Sequence, residues 1–285
     1  MKYLFTCLFF SQLIYANPNW GFYAHKKINK LAIFTLPSPL VIFYKRHVDE
    51  IERMAVLPDQ RRHSMDQEAA RHYIDLDHYS ISQLKYRSWE EVCSRFPPDT
   101  LSAHGIVPWN IISFYRNLTY AFAKKDTIAI VKLSAELGHY VADAHVPLHT
   151  TSNYDGQKTN QLGIHSFWES KIPELLQEEL DDWIGPATYI KEPLKACWDW
   201  IIESHEMLPH LFEEEKLLSA STPDSKKYVH KQRGMILEKT YTSKYIADYH
   251  KRLDNQVEKR YRSSIKHVAD LWYSAWLQAG EPEFQ

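Results

Sequence analysis

Apolar residues recur at helical spacing along most of the chain after Trp20. Ile28, Leu31, Ala32 and the residues up to Leu36 form one amphipathic segment, which Pro37 and Pro39 end. Leu40 to Val56 forms a second, closed by Pro58, and a short helix is expected from Trp89 to Phe96, ahead of Pro97-Pro98. Trp109 to Ala123 and Thr127 to Ala144 read as two long helices around a Lys124-Lys125-Asp126 turn. Further helices are predicted over Ile164–Leu180, Pro193–Leu211, Gly234–His250 and Arg252–Ala279, with the charged stretch from Phe212 to Gly234 as a solvated loop. No alternation of period two is sustained enough for a sheet, so the expected class is all-α, a single-domain multi-helix bundle.

The exception to this pattern is the N-terminus. Met1-Lys2, an apolar run from Tyr3 to Tyr15 and then Ala16 read as a secretory leader over residues 1–19, cleaved after Ala16 or Asn19. The run is shorter than the roughly 20 apolar residues that span a bilayer. The helical domain then occupies 20–285, and the protein is expected to be exported, either periplasmic or secreted.

Composition adds two features. There are only 8 Gly among 285 residues, which suits long helices, and 15 His, which invites metal or acid/base chemistry. A formal net charge of -2 provides no global basic field for nucleic acid. With Cys7 in the leader, Cys93 and Cys197 remain, as one bridge or as two buried thiols.

The ionisable residues concentrate in "HYVADAHVPLH", residues 139 to 149. His139 and Asp143 stand four apart, so a helix carries both on one face, at metal-ligand spacing. His145 points elsewhere on that helix, and Pro147 must end it, which frees His149 to turn back. "GIHSFWES" repeats the spacing with His165 and Glu169, and two such pairs suggest more than one metal. Trp20 and His25 are further candidates, as are Asp59, His63, His72, Asp75, Asp77 and His78, among which spacing does not choose.

Together these residues resemble the bacterial zinc-dependent phospholipases C and, in the same superfamily, the single-strand-specific zinc nucleases. The signature His-Tyr-x-x-Asp-x-x-x-Pro-x-His, with an Asn four residues on, stands here as His139-Tyr140, Asp143, Pro147, His149 and Asn153. "WGFYAH", "HYIDLD", "GIHSFWE" and the aromatic "HVADLWYSAW" occur in the matching order. The resemblance implies three zinc ions, with Asp143 bridging two of them. Asp59, His72 and His139 complete the first, Trp20 and His25 the second, and His149, His165 and Glu169 the third. Family members bind through the free amine of a mature N-terminal Trp, whereas cleavage after Ala16 leaves Asn17-Pro18-Asn19 ahead of Trp20.

The implied activity is phosphodiester hydrolysis, phospholipase C-like, by zinc-activated water. Asp143 is a catalytic residue in this reading, and the general base is either Asp59 or the bridging hydroxide. Asp75 either orients the histidines or takes a helix-cap or turn role. Tyr140, Tyr154, Phe167 and Trp168 either line the cleft or fill the core. Glu169, and the absence of the nucleases' Gly-Gly-Asn element between His149 and His165, favour a phospholipid or other small phosphodiester, with peripheral membrane contact. Nucleic acid as the alternative substrate defines the nuclease or nucleotidase reading, and a non-catalytic zinc-binding helical protein is the alternative of another class. No protein partner is implied.

Overall fold

The computed structural model describes residues 21–62, 64–176, 184–233 and 236–284. The proposed leader and Trp20 lie outside these residues, as do His63 and the expected helical continuation through 177–180.

The centre is the helix Thr127–Asp143. Its entry is fixed by the Lys-Lys-Asp turn: Lys125 closes the preceding helix, Val107–Lys124, in the left-handed conformation, and the Asp126 carboxylate accepts from the Ala129 N–H at 3.0 Å. From Ser134 to Asp143 every residue is buried, so this half of the helix has no solvent face. The first helix, Gly21–Ile33, the Val48–Met54 helix and the last helix, Gln256–Gln278, surround it together with Val107–Lys124. Polar ties sit inside this apolar contact. Trp272 Nε1 donates to the Ser134 carbonyl at 3.1 Å, Asn29 Nδ2 donates to the Ala135 carbonyl at 2.9 Å, and the Tyr44 ring stacks on Trp272 at 4.8 Å.

A second, smaller core forms around Phe167, whose ring stacks against Tyr241, Tyr245 and Tyr249 at 4.4 to 5.6 Å. It joins the Ile164–Leu176 segment to the Leu208–Ser221 and Ser243–Arg252 helices. No helix among the described residues is long and apolar enough to cross a membrane.

The class is all-α, with corrections in detail. The first helix is already present at Gly21, the first described residue, ahead of its apolar stripe. His47 interrupts the Leu40–Val56 segment, giving Leu40–Arg46 and Val48–Met54. Pro209, which has no N–H to donate, breaks Pro193–Leu211 after Glu206, and a new helix then runs through the expected loop to Ser221. Tyr228–Arg233 and Ile236–Tyr241 form an antiparallel hairpin where a loop and a helix were expected. Its Tyr228–Tyr241 pair docks beside Phe167, so tertiary contact decides a segment whose charges hide its alternation. Cys93 and Cys197 are separate thiols, the latter buried.

Gly138 shows how closely the central helices pack. A Cβ there would lie 1.9 Å from Asn29 Oδ1, and Asn29 is wholly buried. Gly138→Ala is expected to destabilise the fold by about 1–3 kcal/mol through overpacking, read as a drop of several degrees in the melting temperature. An unchanged melting temperature would contradict this packing.

Candidate metal centre

Five pieces of chain converge where the central helix ends. Pro147 stops that helix as expected: Asp143 is its last residue, and Pro147–Thr150 makes a 3-10 turn that brings His149 back. The first helix supplies His25, and the Leu57–Arg61 helix supplies Asp59. His72 caps the 3-10 turn Ala69–Arg71. His165 and Glu169 come from Ile164–Leu176, where α-helical ends enclose one π-turn, Phe167–Lys171. The wider turn lets residues four apart lie more nearly above one another, and His165 Nε2 meets Glu169 Oε2 at 2.6 Å.

Asp143 has two working faces. Its Oδ2 lies 2.9 Å from His72 Nδ1 and 3.3 Å from His139 Nε2, while its Oδ1 lies 3.5 Å from both His25 Nε2 and His149 Nδ1. The two imidazoles on Oδ2 approach to 3.1 Å, and each stands 3.7 Å from Asp59 Oδ1. A tetrahedral shell with metal–ligand bonds near 2.05 Å has edges of about 3.3 Å. The donor atoms of His72, His139 and Asp143 are therefore spaced as three corners of such a shell, and Asp59 Oδ1 stands 3.7 Å from both imidazoles. His149 Nε2, His165 Nε2 and Glu169 Oε2 form a second group, with separations of 3.1, 2.6 and 3.6 Å. His25 stacks on His139 at 3.8 Å, and its buried Nδ1 has no hydrogen-bond partner.

Neighbouring groups fix the orientation of these rings. His139 Nδ1–H donates to the Ala55 carbonyl at 2.8 Å and His149 Nδ1–H to the His72 carbonyl at 3.0 Å, which leaves both Nε2 lone pairs facing the cluster. Glu68, fully buried, stands behind His72 at 3.6 Å from its Nε2. Arg61 and Arg71 reach the Glu68 carboxylate at 3.3 Å, Tyr140 donates to it, and Arg61 bridges onward to Glu136 at 2.8 Å. Glu68 was not anticipated, although its spacing of four from His72 is a signal the sequence carries. Of the two readings for Asp75, the structure has the cap position, at the start of the Leu76–His78 turn, with the carboxylate toward His104. His145 turns away from the cluster, with Nδ1–H on the Val141 carbonyl and Nε2 at 2.7 Å from His267.

Electrostatically the site sets carboxylates among imidazoles in a low-dielectric surround. Burial opposes the charge on Asp143, but His139, His149 and His72 outweigh it and hold the carboxyl below its usual range. Glu169 behaves likewise through His149 and His165. Burial also opposes the charge on His72, yet Asp143 and Glu68 pull it up to about 9. His139 is pushed down to about 3 by burial and by His25. Bound protons and a bound cation compete for the same donors here.

The cluster opens into a cleft of about 300 Å³ whose lining includes Arg62, His72, Tyr73, His149, Tyr154 and His165. Of the four aromatics considered for the cleft, Tyr140, Phe167 and Trp168 are buried in the core, and Tyr154 alone is at the mouth, 54% exposed. Arg62, also unanticipated, lies 3.7 Å from Asp59 and points its charge into the cleft.

Glu68→Gln removes the charge behind His72 while keeping its shape. Metal affinity is expected to fall roughly 10- to 100-fold, measured by competition with a chromogenic chelator. Wild-type retention of metal would rule out an orienting role for Glu68.

Comparison with known proteins identifies the architecture. No protein-family model and no curated protein matches the sequence. Among solved structures, alpha-toxin of Clostridium perfringens from an avian strain superposes with a TM-score of 0.56 and 11% identity, over 93% of this chain and 65% of that one. Alpha toxin from Clostridium absonum gives 0.53 and 10%, over 90% of this chain and 64% of that one. The chain thus spans a little under two thirds of the length of either toxin and has their helical fold.

Proposed function

We propose that the chain is a zinc-dependent phosphoric diester hydrolase of the phospholipase C type. The observation that carries this reading is Asp143, a buried carboxylate whose two oxygens face separate pairs of histidines, of which His72 and His149 also line an open cleft. Three zinc ions are assigned to this donor set, with Trp20 lying outside the described residues. One would be held by Asp59, His72, His139 and Asp143, one by His149, His165 and Glu169, and one by His25 with Asp143 and Trp20. Zinc rather than calcium or magnesium suits a donor set this rich in imidazole.

Bound zinc supplies Lewis acidity to the phosphate and to the attacking water. The chain's own groups account for the remaining steps. Arg62 offers N–H donors to a non-bridging phosphate oxygen, and its fork geometry suits that task. Asp59 is the most exposed of the three cluster carboxylates, 22% against 16% for Glu169 and 2% for Asp143. It is the general base, taking a proton from water as a new P–O bond forms and the bond to the departing alcohol breaks. Asp143 fixes the spacing of the histidine groups and takes no part in proton transfer.

A phospholipid is the favoured substrate. Tyr154, 54% exposed, stands at the cleft mouth, and Leu162, 67% exposed, lies further along the loop that leads to His165, so this loop offers apolar side chains to a lipid surface. Export through the 1–19 leader places the enzyme where such surfaces occur. Asp143→Asn is expected to lower hydrolysis of a phosphocholine ester by about 100-fold or more and to reduce the zinc content. Full activity with full zinc content would refute the assignment. Cleavage of single-stranded DNA without cleavage of the ester would move the substrate to nucleic acid.

A further inference from the structure

A second group of potential ligands lies outside this cluster. Asp75 is the N-cap of the 3-10 turn Leu76–His78, and the His78 N–H donates back to its carbonyl at 3.1 Å. His104 caps the Pro98–Ala103 helix, and the Asp75 N–H donates to its carbonyl at 2.7 Å. Donor atoms of Asp75, His78 and His104 all lie within 4.8 Å of one another. The two imidazoles stack at 3.9 Å, and His104 Nδ1 stands 3.7 Å from Asp75 Oδ2.

The scaffold that holds them is rigid. Gly105 adopts φ +88, and a Cβ there would fall 2.1 Å from the Tyr73 carbonyl oxygen, so only glycine lets the two segments touch. Ile106 N–H on the Ala70 carbonyl, at 2.7 Å, and Val107 N–H on the Tyr73 carbonyl, at 3.2 Å, extend the contact.

The Asp75 carboxylate is the independent sign of a ligand. Its side chain is 13% exposed, and its ion-pair distance to His104 is too long for a hydrogen bond. Asp77, two residues on, is fully used: it accepts from the Ser152 N–H at 2.9 Å and from the Ser152 hydroxyl. Burial and the nearby Asp77 charge both push the Asp75 carboxyl up. A largely buried carboxylate whose nearest cationic partner stands 3.7 Å away gains from a cation bound beside it.

We infer that Asp75, His78 and His104 bind an additional divalent ion of the zinc class, separate from the Asp143 cluster. Two imidazoles and one carboxylate select zinc, cobalt or nickel over calcium and magnesium. Three protein ligands leave a fourth position for water. Because Asp75 also lines the cleft, the ion braces one cleft wall by joining the 75–78 turn to residue 104. The inference rests on these three residues and does not require the phospholipase reading.

Native mass spectrometry of the zinc-loaded protein tests it. His78→Ala, His104→Ala and the double variant are each expected to carry one ion fewer than wild type at the same free zinc. Asp75→Asn, which preserves shape, should show the same loss and serves if a histidine variant folds poorly. Cobalt loading gives a second readout, with part of the visible absorption lost in the same variants. Equal ion counts in wild type and in both the double and Asp75→Asn variants would overturn the inference. Asp143→Asn separates it from the main cluster. If the zinc lost with His78 and His104 is the only zinc bound, this site stands and the proposed function falls. If three ions are bound and all survive the double variant, the reverse holds.

Discussion

Placing an ionised carboxylate at the end of a helix that has no solvent face is energetically demanding, because burial penalises its charge. Asp143 is 1% exposed, and the molecule is arranged around meeting that demand. Four histidines approach its two oxygens, and two of them are held in position by backbone carbonyls. The negative end of the helix dipole also lies here, which further favours a cation at this point. Around the cluster, Glu68, Arg61, Tyr140 and Glu136 form a charged network that keeps the His72 ring from rotating.

Much of this was legible in local spacing. His139–Asp143 and His165–Glu169 are pairs four apart on helical segments, and Pro147 announces the break that returns His149. The choice of His72 over His78 was not available from spacing, because it depends on which of two adjacent 3-10 turns faces the central helix. Glu68 and Arg62 escaped notice because their roles are defined by residues far along the chain, such as Tyr140 and His165. The hairpin was missed for a related reason. Lys231, Gln232 and Lys239 weaken its alternation, and the aromatic partner that fixes Tyr241 is Phe167, more than seventy residues earlier.

The comparison with the clostridial toxins separates two kinds of information. At 10 to 11% identity, the shared helical frame persists while most of the residues that fill it differ. A core of this size accepts many substitutions provided volume and patterning are kept. The polar cluster is not interchangeable in that way, since its donors must stand a few tenths of an ångström from specific positions. The functional reading therefore rests on the cluster, and the fold contributes the geometry that makes it possible.

The π-turn at Phe167–Lys171 carries a consequence for how the protein can change. Such a turn holds one residue more than the α-helical turn it replaces. Loss of a single residue there would restore regular α-helical winding and leave the flanking turns near their present orientation. What it would change lies inside the turn: a deletion between His165 and Glu169 would leave the two three apart, with the carboxylate displaced from His165 Nε2. The extra residue is therefore tied to the proposed ligand pair rather than to the path of the helix.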